Sequence, residues 1–287
     1  MKYGLGLLLW LSVSMAALAD SSVWEVSHKG QRVLLGGTVH MLKASDYPLP
    51  EEYPTALEAA DTVIFETDML AIEDPAFGMQ VAQAMMLPAG TTLESQLKPD
   101  TWQALQEFAA ETGFPLAQFQ IFEPAFVSIT MTVLEMQKLG FAEGVDKYYF
   151  DQARRFDKNI DALETPEEQL QLLLEMTTLD ADQLIALTLA DLKELPVQMD
   201  ATVAAWRSGD AEQLDELLGK RMRTDLPVLY NVMITQRNHN WAKQILALLE
   251  TPEVEFVLVG ALHLSGPDSV QALLRKAGVK VQRYQLP

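Results

Sequence analysis

Two apolar, β-favouring runs lie more than two hundred positions apart in this 287-residue chain, and each closes on the same four-residue pattern. The first, "RVLLGGTVH", ends in Gly37-Thr38-Val39-His40; the second, "VEFVLVGALH", ends in Gly260-Ala261-Leu262-His263. Between them, from about Pro75 to Leu249, apolar residues mostly recur at three- and four-residue steps, the period of helices. Strands at both ends of a chain bury their apolar faces most simply in one sheet that draws on both ends, with the helices covering it. The expected fold class is therefore α/β (α+β): a central β-sheet built from both chain ends with a long helical insert. A pseudo-repeat of two strand–GxxH halves is a further expectation, although outside the motif the halves show little similarity.

Shorter signals fill in this outline. "VWEVSHKGQRVLLGGTVH" predicts a β-hairpin turning at His28-Lys29-Gly30, with its second strand running to His40. "DTVIFETDM" predicts a strand leading into Glu66, and "KNIDALET" another inside the helical region. After the latter, Thr165, Pro166 and Glu168 form a capping box that starts the helix "EEQLQLLLEMTTL". A helix over about 267–276 and a last strand, "VKVQRY", complete the pattern.

The first twenty residues carry Lys2, an apolar stretch from about Leu5 to Ala17, and Ala17-Leu18-Ala19 before Asp20. This predicts a secretory signal peptide over 1–19 cleaved after Ala19, against the alternative of an uncleaved anchor. The chain would then be periplasmic or secreted, with 20–287 as one domain and no stable membrane anchor. With no cysteine there is no lipoprotein anchor, disulfide or thiolate metal site. Loss of Lys2 leaves 40 acidic against 20 basic side chains, which disfavours nucleic acid and anionic lipid as partners.

Open α/β sheets place ligands at the carboxyl ends of their strands, so the two strand-end histidines are the first candidates. His40 and His263 offer metal ligation or acid–base chemistry, or else simply bond loop carbonyls. Gly37 (or Gly36) and Gly260 allow close backbone approach just before them. Glu66 ends a buried strand, where an acid needs a partner or a metal, unless it is simply exposed; Asp68 could substitute for it. In "YNVMITQRNHNWAKQILALL", Arg237 interrupts the stripe Met233, Trp241, Ile245. Such a guanidinium pairs with a buried acid or stabilises an oxyanion, and Asn238 beside it could hold a substrate amide, while His239 points to solvent. Asp146, in the turn Glu143-Gly144-Val145-Asp146, either joins the site or caps the following helix. Phosphate-loop, Rossmann, HExxH and G-x-S-x-G patterns are absent.

The blocks "VLLGGTVHMLKASDYPLP", "VIFETDM", "EGVDKYYFDQA", "ALETPEEQ", "QRNHNWAKQI" and "VLVGALHLSGPDSV", in this order, resemble the TraB/GumN family, related to the Tiki proteins. The resemblance covers about residues 23–287. It implies an α/β fold with strands from both chain ends and, from the Tiki members, a protease dependent on a divalent ion such as manganese or cobalt. It matches His40, His263, Glu66, the pair Arg237-Asn238 and the turn Gly144-Asp146 to the family's motifs. Relatives also include esterase-like hydrolases and haem-binding proteins.

The leading expectation is an exported metal-dependent hydrolase acting on peptide bonds or a small-molecule substrate. His40, His263 and Glu66 would hold a divalent ion (manganese, cobalt or zinc), with Asp146 either a further ligand or a support behind one of them. Glu66 could instead serve as base, with Arg237 or Asn238 stabilising the oxyanion. The alternative is a non-catalytic periplasmic protein that binds haem, a metal or a peptide; without Cys-x-x-Cys-His, haem would be non-covalent.

Overall fold

The computed structural model describes residues 21–287, so the expected signal peptide lies outside the described residues. The hairpin pairs β1 (Val23–His28) with β2 (Gln31–Thr38) through Lys29 and Gly30. Both turn residues have positive φ (49° and 89°), the two-residue geometry whose twist matches paired strands. The other strands are β3 (Met41–Lys43), β4 (Thr62–Thr67), β5 (Phe141–Glu143), β6 (Asn159–Glu164), β7 (Glu255–Gly260) and β8 (Lys280–Arg283). Six of them form a mixed sheet in the order β6-β4-β7-β2-β1-β8, and β3 pairs with β5.

The neighbours β6, β4, β7 and β2 are all parallel, whereas β1 runs antiparallel to β2 and β8. The inner parallel strands β4, β7 and β2 are buried on both faces, and their residues alternate between two cores, while the edge strand β6 is largely exposed. Leu34, Val63, Phe65, Phe256 and Leu258 pack with Tyr53, Tyr149, Phe150 and Trp206. Val33, Leu35, Ile64, Val257 and Val259 pack on the other face with Trp241, Ile245 and Leu274. Each fully buried large apolar side chain here contributes about 1.5–3 kcal/mol. The expected α/β architecture is present, with strands from both chain ends side by side at β2 and β7.

The helical insert forms a further layer. Helices Pro99–Thr112, Pro124–Lys138 and Ala181–Arg207 enclose a separate core around Leu105, Val127, Met131 and Ile185. The capping box at Thr165 is formed in both directions, through Glu168 N to Thr165 Oγ1 and Thr165 N to Glu168 Oε2, and opens the helix Pro166–Met176. The last helix begins at Val270, with Ser269 as its cap, slightly later than its sequence suggests. No helix among the described residues is long and apolar enough to cross a membrane.

Two departures from the sequence reading matter for the site. The second hairpin strand stops at Thr38, so His40 lies beyond the sheet rather than at its last position. The short β5, hidden in a stretch that reads as helix, pairs with β3 and brings the 144–146 turn against His40. The two GxxH units are also not equivalent. Gly37 pairs with Val259 and Thr38 with Gly260, an offset of one residue. After the glycine, one unit continues to β3 while the other folds into a 3-10 turn, Ala261–Leu264.

Candidate functional site

The carboxyl ends of all four parallel strands meet at one edge of the sheet. Glu164 ends β6, Glu66 lies one residue from the end of β4, Gly260 ends β7 three residues before His263, and Thr38 ends β2 two residues before His40. Gly260 is the common point. A Cβ added there would lie 3.2 Å from Glu66 Oε1, 3.5 Å from His263 Cδ2 and 3.9 Å from His40 Nε2. The missing side chain thus leaves a space that three of the expected site residues face. Gly37 plays a different part: its Cβ position is closed by Ala261 and Ser22, and its carbonyl accepts from Trp206 Nε1 (2.7 Å) and the Tyr53 hydroxyl.

The β7 side of the site is rigid and dry. His263 is buried, with its ring against Trp241 at a centroid distance of 4.4 Å. Asn238 Nδ2 donates to the carbonyls of His263 (3.3 Å) and Asp268 (2.8 Å), so Asn238 Oδ1 must accept the Nδ1–H of His263 at 2.6 Å. That fixes the tautomer and leaves Nε2 with a lone pair. Burial pushes the pKa of this imidazole down to about 3, against the pull of Glu66, so the ring is neutral near pH 7.

The β2 side is wet. The His40 side chain is 70 % exposed, and its Nδ1 lies 2.8 Å from Asp146 Oδ2. Asp146 sits in the first turn of the helix Val145–Arg155, and its carboxylate faces the histidine rather than capping the helix. Gly144 makes this possible, because any Cβ there would overlap the Val39 and His40 backbone, and Val145 N bonds Val39 O at 3.0 Å. The Asp146 charge and its hydrogen bond raise the His40 pKa to about 9. Here too Nδ1 is tied back and Nε2 turns towards Gly260.

Between the histidines lies a charge network. Glu66 Oε1 accepts the Gly260 N–H at 2.6 Å, and Oε2 accepts Arg237 Nη2 at 2.7 Å. Burial raises the Glu66 pKa, but His263, Arg237, His40 and the Gly260 N–H together hold it down at about 2. Arg237 follows a π-helical turn, Asn231–Gln236, at the start of the helix Arg237–Leu248; wide turns of this kind recur where a side chain is aimed for function. Its guanidinium stacks over Trp241 at 4.5 Å. It also forms a fork with Glu164, Nε to Oε1 at 2.9 Å and Nη2 to Oε2 at 2.8 Å.

These contacts revise several expected roles. Arg237 has five N–H donors. They go to Glu164 twice, Glu66, the Met233 carbonyl (3.3 Å) and His263 Nε2 (3.2 Å), so in this arrangement none is free for an oxyanion. Asn238 is fully buried with both ends of its amide in use, which gives it the orientation of His263 in place of a substrate contact. Asp146 contacts His40 Nδ1, the supporting one of its two expected roles. Asp68 caps the helix Met69–Glu73 by accepting from Leu70 and Ala71 N–H groups, so it does not stand in for Glu66. His239 is exposed on the helix surface, as its position on the helix predicts.

Glu164 is the site residue that the sequence reading passed over. Its signal was present: "IDALET" ends an apolar strand in a carboxylate as "TVIFET" does, and Glu164 pairs with Thr67, the neighbour of Glu66. The adjacent capping box explained the segment without it.

Two imidazoles with Nδ1 tied back, plus a carboxylate, make a donor set that suits manganese, cobalt or zinc, and the space beside Gly260 lies among them. Among the described residues no three His, Asp or Glu groups already close on one point. Arg237 accounts for this, since its Nη2 holds Glu66 Oε2 and its Nη1 faces His263 Nε2.

Neither the curated proteins nor the solved structures offered a match to this chain. The sequence profile of the TraB/PrgY/gumN family matches residues 22–283, which spans every strand and every site residue described above. The chain belongs to the TraB/PrgY/gumN family.

Proposed function

We propose that the protein is an exported metal-dependent hydrolase acting on peptide bonds, with His40, His263 and Glu66 as the metal ligands. One observation carries this reading: Nε2 of His40 and the Cδ2 edge of His263, from opposite ends of the chain, and the Glu66 carboxylate face the same side-chain-free point at Gly260. A divalent ion held there would supply Lewis acidity and lower the pKa of a bound water. The chain's own groups prepare the site. Burial keeps His263 neutral, Asn238 fixes Nε2 as its acceptor nitrogen, and Asp146 holds the His40 ring by Nδ1. The Gly260 N–H fixes one oxygen of Glu66, and Arg237 keeps Glu66 ionised in a buried setting while forking to Glu164.

The donor set supports an ion over a haem, because a carboxylate and a guanidinium lie among the histidine edges where a flat macrocycle needs apolar walls. Export rests on the sequence of residues 1–19. The test is hydrolysis of a peptide panel before and after chelation. Activity should vanish with chelator and return with one of manganese, cobalt or zinc. Full activity in the double variant His40→Ala/His263→Ala would overturn the assignment, and a Soret band lost in the same variant would favour haem capture.

A further inference from the structure

We propose that Glu164 is a positioning residue that retains Arg237 when Glu66 exchanges the guanidinium for a divalent ion. This rests on the metal reading above and says how the same site opens to its ion.

Arg237 Nη2 is shared between two carboxylates, 2.7 Å from Glu66 Oε2 and 2.8 Å from Glu164 Oε2. The sharing is unequal. Glu164 receives a second bond from Nε at 2.9 Å and so forms the fork, while Glu66 receives a single N–H. Glu164 is itself anchored, accepting Gln169 Nε2 at 2.6 Å from the capped helix Pro166–Met176. Glu66 is anchored only by the Gly260 N–H on its other oxygen. Admitting the ion therefore costs Arg237 its contacts to Glu66 and to His263 Nε2 and leaves its bidentate partner in place.

The charges agree with this reading. Glu66, Glu164 and Arg237 together carry one excess negative charge in a region where the three side chains are 14 %, 10 % and 7 % exposed. A cation beside Glu66 balances that excess. Arg237 is then the resident counter-ion of Glu66, and Glu164 sets how readily it yields. Without Glu164 the guanidinium would have only Glu66 to neutralise and would hold it more tightly.

The test is Mn²⁺ binding by isothermal titration to the full chain, with folding of each variant followed by circular dichroism. Glu164→Gln should weaken Mn²⁺ at least about tenfold, because a nearby negative charge is lost and Arg237 stays on Glu66. Arg237→Gln should tighten it by a similar factor, and Glu164→Asp, which keeps the charge, should stay near wild type. If Arg237→Gln does not fold, the Glu164 pair decides alone. Folded Glu164→Gln with wild-type affinity would overturn this inference while leaving the metal site standing, provided His40→Ala abolishes binding. Absence of Mn²⁺ binding in both wild type and Arg237→Gln would remove the metal reading itself and this inference with it. A purely structural role for Glu164 predicts altered stability with unchanged affinity.

Discussion

The two histidines share a sequence motif and little else. His263 is buried, neutral, stacked on Trp241 and locked by Asn238; His40 is largely exposed and backed by Asp146, which raises its pKa. The β7 side is thus a fixed wall, and the β2 side is the face that meets solvent. Yet both rings approach the same point, His40 by Nε2 and His263 by Cδ2, and in each case a neighbour claims Nδ1. The shared motif sets where the backbone goes, and the partners from elsewhere in the chain set what each histidine can do.

Substitutions can separate the two sides. The largest effect should come from Gly144→Ala, whose Cβ would overlap the Val39 and His40 backbone and force the 144–146 turn away. We expect a loss of about 3 kcal/mol or more in chemical denaturation, with the His40–Asp146 contact broken. Asn238→Ala should follow at about 2–3 kcal/mol, since it strands His263 Nδ1 and two carbonyls in a buried setting. It should leave the His40 titration, read by NMR, unchanged; a moved His40 pKa would mean that the two sides are coupled more closely than their contacts indicate.

The pH dependence should divide in the same way. His263 has a folded pKa of about 3, below the ordinary histidine value. Its contribution is complete at pH values above about 6.5 and is lost as pH falls towards 3, because the unfolded ring takes up a proton that the folded one refuses. Glu66, at about 2, adds to the acid loss once pH falls below the ordinary carboxylate range. His40, raised to about 9, contributes below about 6.5 and loses that contribution as pH climbs through 9. Urea denaturation across the pH range should therefore show a pronounced acid limb from the β7 side and only a shallow alkaline one from the exposed β2 side.

The smallest effect belongs to Asp146→Asn. It should bring the His40 pKa down towards its ordinary value while changing stability by well under about 1 kcal/mol, as expected for a contact on a mostly exposed ring. A large stability loss would show that Asp146 does more than face His40.

Much of this site was legible in the sequence, for a physical reason. Strand ends are marked by apolar runs, so His40, Glu66 and His263 could be placed at the sheet edge from local pattern alone. Arg237 stood out because a charge interrupts an apolar stripe, and Asp146 because an acidic turn precedes an aromatic helix. What could not be read was partnership. That Arg237 spends four of its five donors on distant partners, that Asn238 serves His263 rather than a substrate, and that Glu164 takes the fork depend on contacts 25 to 171 residues apart in the chain. The strand β5 was hidden for a related reason: three residues give too little periodicity to stand out within a helical stretch.

The central claim is that both GxxH histidines and Glu66 serve one ion beside Gly260. Anomalous diffraction at the manganese edge from crystals soaked in Mn²⁺ tests it most directly. The account predicts one peak beside Gly260, within coordination distance of His40 Nε2, His263 Nε2 and a Glu66 oxygen, with Arg237 on Glu164 alone. A peak held by other residues, or no peak at an Mn²⁺ concentration that saturates binding in solution, would contradict it.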